Sequence, residues 1–421
     1  MRPHQFNILK DIDKPLLIIY VILVFIGLAN IYAAEIEDTH TTIFDFSQSY
    51  GKQIIFIAAS FLMASIILSV DVKWFSTFGY AIYWFFIPVL ISVLIFGTEI
   101  KATKAWFQIG SFAIQPSEFA KFALALAIAK YISSVKTKNI RFKNRLKPLI
   151  LIAIPALLVL MQNDVGTTLV FGAFVFALYR EGYLSGIVLA FIAMAMILFI
   201  LTLLVNELYI IAGLAGTTIL ILFMIQKKKA AALQLIGLCI ALSAYVYSVD
   251  YVFENVLQHH HKERITVLID DEIDMRGPGY NLNQSKIAIG SGGFWGKGYL
   301  EGTQTKLDFV PEQNTDFIFC TIGEEWGFFG STALILLFLI FLTRIILLAE
   351  KQRSSFSRIY GYCVASILFF HFAINIGMTI GLVPIIGIPL PFISYGGSSL
   401  LGFTILLFIF LKLDTKKLER F

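Results

Sequence analysis

The stretch PLLIIYVILVFIGLANIYAA, Pro15 to Ala34, runs for twenty residues without a charge. A helix rises about 1.5 Å per residue, so about twenty apolar residues cross a hydrocarbon layer about 30 Å thick. The run therefore reads as a membrane-spanning helix. It closes on Glu35, Glu37 and Asp38 rather than on the small residues of a signal-peptide cleavage site, so it is expected to stay in the protein. Eleven more apolar runs follow near 53–70, 75–97, 116–134, 148–162, 165–179, 184–205, 209–225, 231–249, 328–348, 360–380 and 396–412. Together they predict an all-α polytopic membrane protein with about twelve transmembrane helices.

Composition agrees with that reading. Of 421 residues, 58% are hydrophobic and 14% charged, against about 25% charged in soluble domains. The net charge of +5 is spread among the apolar runs, so it marks no nucleic-acid surface. Cys239, Cys320 and Cys363 are three and widely spaced, which implies neither a disulfide framework nor a zinc site. The basic clusters from Lys136 to Lys147, Lys227 to Lys229 and Lys412 to Arg420 resist translocation, so they are expected inside, with both termini cytoplasmic. That orientation needs residues 148–179 to form a hairpin around Gln162, Asn163 and Asp164 rather than one long tilted helix, and it leaves Asp164 at the outer surface. Residues 250–327 break the apolar pattern and form a large extracellular loop. No repeat divides the chain, and 1–421 reads as one membrane domain.

Ionisable groups at membrane depth are costly and usually functional. In Gln115-Pro116-Ser117-Glu118-Phe119-Ala120-Lys121, proline suits a first helical turn, and Glu118 and Lys121 share a face three residues apart. The pair is either part of a site or a local ion pair that caps the helix or snorkels. In Pro311-Glu312-Gln313-Asn314-Thr315-Asp316-Phe317, Asp316 stands where loop becomes membrane, as a general base or as a helix cap. Gly290 to Gly298 fails the Walker pattern at Ser291 and Gly298; it remains either a turn-rich loop or a cradle for a diphosphate, with Lys286, Lys297 and Lys306 supplying charge. Gly381 to Ser399 is interrupted by Pro384, Pro389 and Pro391, which suits a re-entrant segment beside a pocket or a simple outer loop. Trp106 reads as an interfacial anchor, and the adjacent His259, His260 and His261 cannot all face one ion.

Read together, these stretches resemble the SEDS family, the shape, elongation, division and sporulation proteins. The resemblance is most specific from Gln284 to Gln304 and from Pro311 to Phe319, with Gln115 to Glu118 and Ser394 to Ser398 adding to it. It implies a peptidoglycan glycosyltransferase of the bacterial cytoplasmic membrane, with its active site on the outer face. Its substrate would be lipid II, an undecaprenyl-diphosphate-linked disaccharide peptide. Its partner would be a class B penicillin-binding protein within the elongation complex. The elongation branch is favoured over the division branch by the match through Gln284 to Gln304. By motif, Asp316 and Lys121 take catalytic places, and Trp106, Glu118, Arg264, Lys286, Glu312, Ser394 and Ser398 substrate-binding ones. A divalent cation, magnesium or manganese, could share the charge of the diphosphate, although no ligand cluster declares itself; no nucleotide is implied.

Two departures stand out. The family's Gln-Pro-Asp-Leu-Gly-Thr is here Gln162-Asn163-Asp164-Val165-Gly166-Thr167, without the proline. The family has ten spans, so the surplus is placed at 184–249, where three apolar runs replace one. A transporter of lipid II is the chief rival reading and a non-catalytic scaffold the other; the lack of an internal repeat weighs against the transporter.

Overall fold

The computed structural model describes residues 12–36, 44–100, 103–110, 112–135, 142–224, 229–255, 262, 266, 278–307 and 309–416. Arg264 and the three adjacent histidines lie outside the described residues. Two compact units form, one from 1–184 with 281–421 and one from 185–280.

In the larger unit, Asp13 opens helix α1 (Lys14–Glu35) by accepting the amide of Leu16 at 3.0 Å, and Pro15 occupies the first turn, where no amide donor is needed. The same carboxylate takes Arg344 with both oxygens, at 3.1 and 2.6 Å. Helices α2 (Ser49–Ser69) and α3 (Val72–Phe96) follow, the latter capped by Asp71. Three short strands then form an antiparallel meander, β1 (Thr98–Ile100), β2 (Thr103–Ile109) and β3 (Phe112–Ile114). Among the described residues these are the one addition to the expected all-α class: the chain between two helices carries β-formers such as Trp106, Phe107 and Phe112, and Gly110 turns it with φ +63°.

Helix α4 (Pro116–Ser134) is buried on nearly every side, as is α15 (Gly397–Asp414). They pack on each other and, with α14 (Ser355–Thr379), form the centre of the unit. Helices apolar all round must be surrounded by protein or lipid, and here α4 and α15 are surrounded by protein while α1, α2 and α3 leave one apolar face outward. Helix α5 (Phe142–Met161) and helices α6 (Val165–Gly172) and α7 (Phe174–Arg180) are separate: the chain turns at Asn163, whose φ is +64°. α5 and α6 pack together, as the hairpin reading requires.

The smaller unit contains α8 (Gly186–Leu204), α9 (Glu207–Met224) and α10 (Lys229–Asn255). α10 packs on both neighbours, and Tyr245 donates its hydroxyl to the carbonyl of Ala195 at 3.1 Å. Its surface is apolar and outward, with no buried residue in α9.

Each of the twelve apolar runs is helical, and among the described residues nine helices are long and apolar enough to span a membrane. Several boundaries move: α2 begins at Ser49 rather than 53, α5 at Phe142 rather than 148 and α14 at Ser355 rather than 360. α10 continues to Asn255, and α13 (Ile318–Glu350) begins at Ile318 rather than at residue 328. The additional turns of α13 carry Thr321, Glu324 and Glu325 buried against protein, so their polar side chains hid them from an apolar-run reading, and they end at a kink where Gly327 adopts φ +62°. Between α10 and α13 lie α11 (Pro278–Ser291) and the single turn α12 (Thr303–Lys306).

Candidate active site

Residues 381–396 join α14 to α15 without regular secondary structure. Pro384, Pro389 and Pro391 supply no amide hydrogen, and Gly381, Gly387 and Phe392 turn the chain with positive φ. Ile385, Ile388, Leu390, Phe392 and Ile393 are buried, so this is an internal segment and not a simple outer loop. Apart from the amides of Ile393 and Ser394, which both reach the Leu390 carbonyl, several of its backbone groups are taken up by side chains. Asn375 donates from one amide nitrogen to the carbonyls of Ile388 and Asp316, each at 2.8 Å. His371, one turn earlier on α14, places Nδ1 3.1 Å from the carbonyl of Pro389. Ser394 accepts from the amide of Leu390 at 2.9 Å and donates to the carbonyl of Thr315 at 2.6 Å.

The loop that precedes α13 is held as tightly. Glu312, at φ +61°, accepts at its carbonyl from the amides of Thr315 and Phe317, and its carboxylate takes the Thr315 hydroxyl at 2.9 Å. Gln313 donates to the carbonyl of Ala34 at 2.8 Å. Asn314 donates to Glu35 and to Ser49, and its carbonyl accepts from the amide of Tyr395 at 2.8 Å. Burial, with Glu35 nearby, pushes the Tyr395 phenol above its ordinary value, so it is neutral and acts only as a donor or acceptor. The residue before α13 is Phe317, which makes no side-chain cap, so the helix-cap reading of Thr315 and Asp316 falls away. Asp316 is half-buried, and its Oδ2 would lie 3.3 Å from a Cβ placed on Gly387. Glycine there lets the carboxylate sit against the turn.

On the other side of the same turn stands Lys121. Its ammonium lies 2.7 Å from Glu118, 3.0 Å from Nε2 of His371 and 4.8 Å from the centre of the Phe403 ring. Lys121 is 2% exposed and Glu118 3%, which rules out snorkelling. Asp164 caps α6 through the amide of Thr167 at 2.9 Å and accepts from Gln115 at 2.8 Å. The amide of Gln115 donates to Ser398 at 3.0 Å. A Cβ on Gly166 would come within 2.9 Å of the Ile386 carbonyl, so the start of α6 packs directly on the turn. Residues 386–390 therefore meet Asp316 on one side and the Gln115–Lys121 and Asp164–Gly166 stretches on the other.

The family model of FtsW, RodA and SpoVE, described as cell cycle proteins, matches residues 14–209 and 179–419. The chain belongs to this family. It is 30% identical to the peptidoglycan glycosyltransferase RodA of Treponema pallidum (strain Nichols), over 93% of this chain and 94% of that one. It is 33% identical to the peptidoglycan glycosyltransferase MrdB of Escherichia coli (strain K12), over 77% of this chain and 74% of that one. A solved chain from work on the structural coordination of polymerization and crosslinking by a peptidoglycan synthase complex has the same fold, with a TM-score of 0.68, 24% identity and coverage of 96% of this chain and 98% of that one.

For a member of this family, the remaining sequence expectations divide. Trp106 lies on β2, where its carbonyl accepts from Thr98 at 3.1 Å. Lys286 is exposed on α11, with its ammonium packed beside Gly381. The Gly290–Gly298 stretch is no phosphate cradle. Its amides at Gly296, Lys297 and Gly298 donate to the carbonyls of Gly292, Glu324 and Glu325, and Lys297 pairs with Glu324 at 2.6 Å, so the donors a diphosphate would need are spent on the Gly327 kink. Among the described residues no group of three or more His, Cys, Asp or Glu could hold a metal ion.

Sequence reading missed His371 and Asn375, which hold the turn, and it assigned no chemistry to Glu324, which holds the glycine loop. The first two lay inside the apolar run 360–380. A polar pair four residues apart on one helical face at membrane depth was the available signal.

Proposed function

We propose that this chain polymerises lipid II into β-1,4 glycan strands during cell-wall elongation, with Asp316 as general base. The acceptor sugar gives its 4-hydroxyl proton to the Asp316 carboxylate as that oxygen attacks the anomeric carbon of the donor. The bond from that carbon to the diphosphate breaks, polyprenyl diphosphate departs, and the α-linkage becomes β. A positioned base of this kind contributes about 10²–10⁴-fold to rate. The observation that carries the reading is the placement of Asp316. Its backbone and both flanks are fixed by α14, by Ser394 and by the end of α1, while the residue keeps partial exposure with Oδ2 beside Gly387.

Lys121 is sealed from solvent, so its part is to hold the far side of the turn rather than to meet the diphosphate. Glu118 fixes it. Ser394 and Ser398 act in the same way through backbone groups. Lys286, exposed near the turn, and Arg264 supply positive charge to the leaving diphosphate, while Trp106 and Glu312 border the substrate. Fixed cations stabilise the charge that develops there. We place the site at the outer face of the bacterial cytoplasmic membrane, with a class B penicillin-binding protein crosslinking the product within the elongation complex. The kinship with RodA and MrdB, and a fold shared with a chain of a peptidoglycan synthase complex, support this partnership. Purified wild-type protein with its partner should polymerise lipid II, and Asp316→Ala should not. Polymer from the variant would remove the base assignment, and lipid II flux without polymer from either protein would favour a transporter.

A further inference from the structure

The buried imidazole of His371 bridges two parts of the site that are far apart in sequence. It is 1% exposed. Its Nδ1 faces the Pro389 carbonyl at 3.1 Å, and its Nε2 faces the Lys121 ammonium at 3.0 Å. A carbonyl oxygen only accepts and an ammonium only donates. Both contacts are satisfied together by one form of the ring, the neutral tautomer with hydrogen on Nδ1 and a lone pair on Nε2. Phe403 closes the arrangement, edge-on to the imidazole at 4.7 Å and beneath the lysine at 4.8 Å. One turn along α14, Asn375 holds the next carbonyl, Ile388, together with that of Asp316. A continuous series of polar contacts thus runs from Glu118 through Lys121 and His371 to the turn, and from the turn through Asn375 to the backbone of Asp316.

We propose that His371 is a positioning residue for the transfer reaction. It locks the Lys121 ammonium and the Pro389 turn into one register, and that register sets where the Asp316 carboxylate meets the acceptor hydroxyl. The inference rests on the glycosyltransferase reading above. It assigns a role in chemistry to a residue that touches neither substrate nor reacting atoms.

Three substitutions separate the two ring nitrogens. His371→Gln offers an amide nitrogen to Pro389 and an amide oxygen to Lys121. His371→Asn is shorter and keeps only the donor toward Pro389. His371→Phe keeps neither. With lipid II as substrate and the partner present, His371→Phe should lower kcat roughly tenfold or more, the scale of losing one hydrogen bond to a charged group. KM should stay about the same, since no substrate contact is lost. His371→Gln should restore most of kcat and His371→Asn should not. Wild-type kcat in His371→Phe, or equal activity in the Gln and Asn variants, would overturn the proposal. If His371→Phe does not fold, the Gln and Asn pair decides alone. Asp316→Ala run alongside keeps the two readings apart: an active Asp316→Ala removes the reaction assignment, whereas an inactive Asp316→Ala beside a fully active His371→Phe removes only the role of His371.

Discussion

Asp316 and Glu324 are carboxylates eight residues apart on one stretch of chain, and the structure treats them oppositely. Glu324 is fully buried and saturated: Lys297 at 2.6 Å, the amides of Thr303, Gln304 and Thr305 at 2.8, 2.9 and 3.0 Å, and two threonine hydroxyls all point at it. It gathers α12 and the glycine loop onto the start of α13. Asp316 has its backbone fixed as well, yet the residue stays half-buried, with Oδ2 beside a glycine turn. A fully buried carboxylate that gathers amides from a separate loop holds the fold, whereas one that keeps partial exposure on a rigid frame beside a glycine turn is the one proposed for chemistry. Sequence position does not distinguish them; burial does.

The comparison breaks first at Glu324. Replacing it by alanine leaves the amides of Thr303, Gln304 and Thr305 without their acceptor, and each buried group left unsatisfied costs about 1–3 kcal/mol. Glu324→Ala should therefore unfold at markedly lower temperature or denaturant in detergent, with activity lost only in step with folding. Stability unchanged within about 0.5 kcal/mol, the range of ordinary surface substitutions, would show that Glu324 is not the structural member of the pair. Gly387→Ala comes next. It forces φ +75° on a residue with a side chain and puts a methyl group against Asp316. Strain of this kind costs about 1–3 kcal/mol, and kcat in lipid II polymerisation should fall more than stability does. Smallest is Gly216→Ala on α9, where nothing lies within 4 Å of the added methyl group. Helix propensity should raise stability by up to about 1 kcal/mol, and polymerisation should be unaffected.

How much of this was legible in sequence follows from the range of the interactions. The helices were legible because membrane burial writes itself into runs of about twenty apolar residues. The Glu118–Lys121 pair was legible from a spacing of three, and the two residues do meet at 2.7 Å. Asp316 was legible as a carboxylate at the edge of an apolar run. What stayed hidden depends on partners far along the chain: His371 meets Lys121 across 250 residues, and Asn375 meets Asp316 across 59. Polar groups inside an apolar run show no periodicity that names their partner. The glycine-rich loop misled for a related reason, since its composition is equally suited to a ligand and to the close backbone approach it makes at Gly327. The strands at 98–114 were too short to rise above the apolar background.

The central claim is that Asp316 serves the reaction and Glu324 the fold. Asp316→Asn and Glu324→Gln, which remove charge and keep shape, should be compared for lipid II polymerisation and for unfolding midpoint on the same purified samples with the partner present. The expected result is that Asp316→Asn makes no polymer and unfolds like wild type, while Glu324→Gln unfolds earlier and retains activity in its folded fraction. Polymerisation by Asp316→Asn at the wild-type rate would contradict the account.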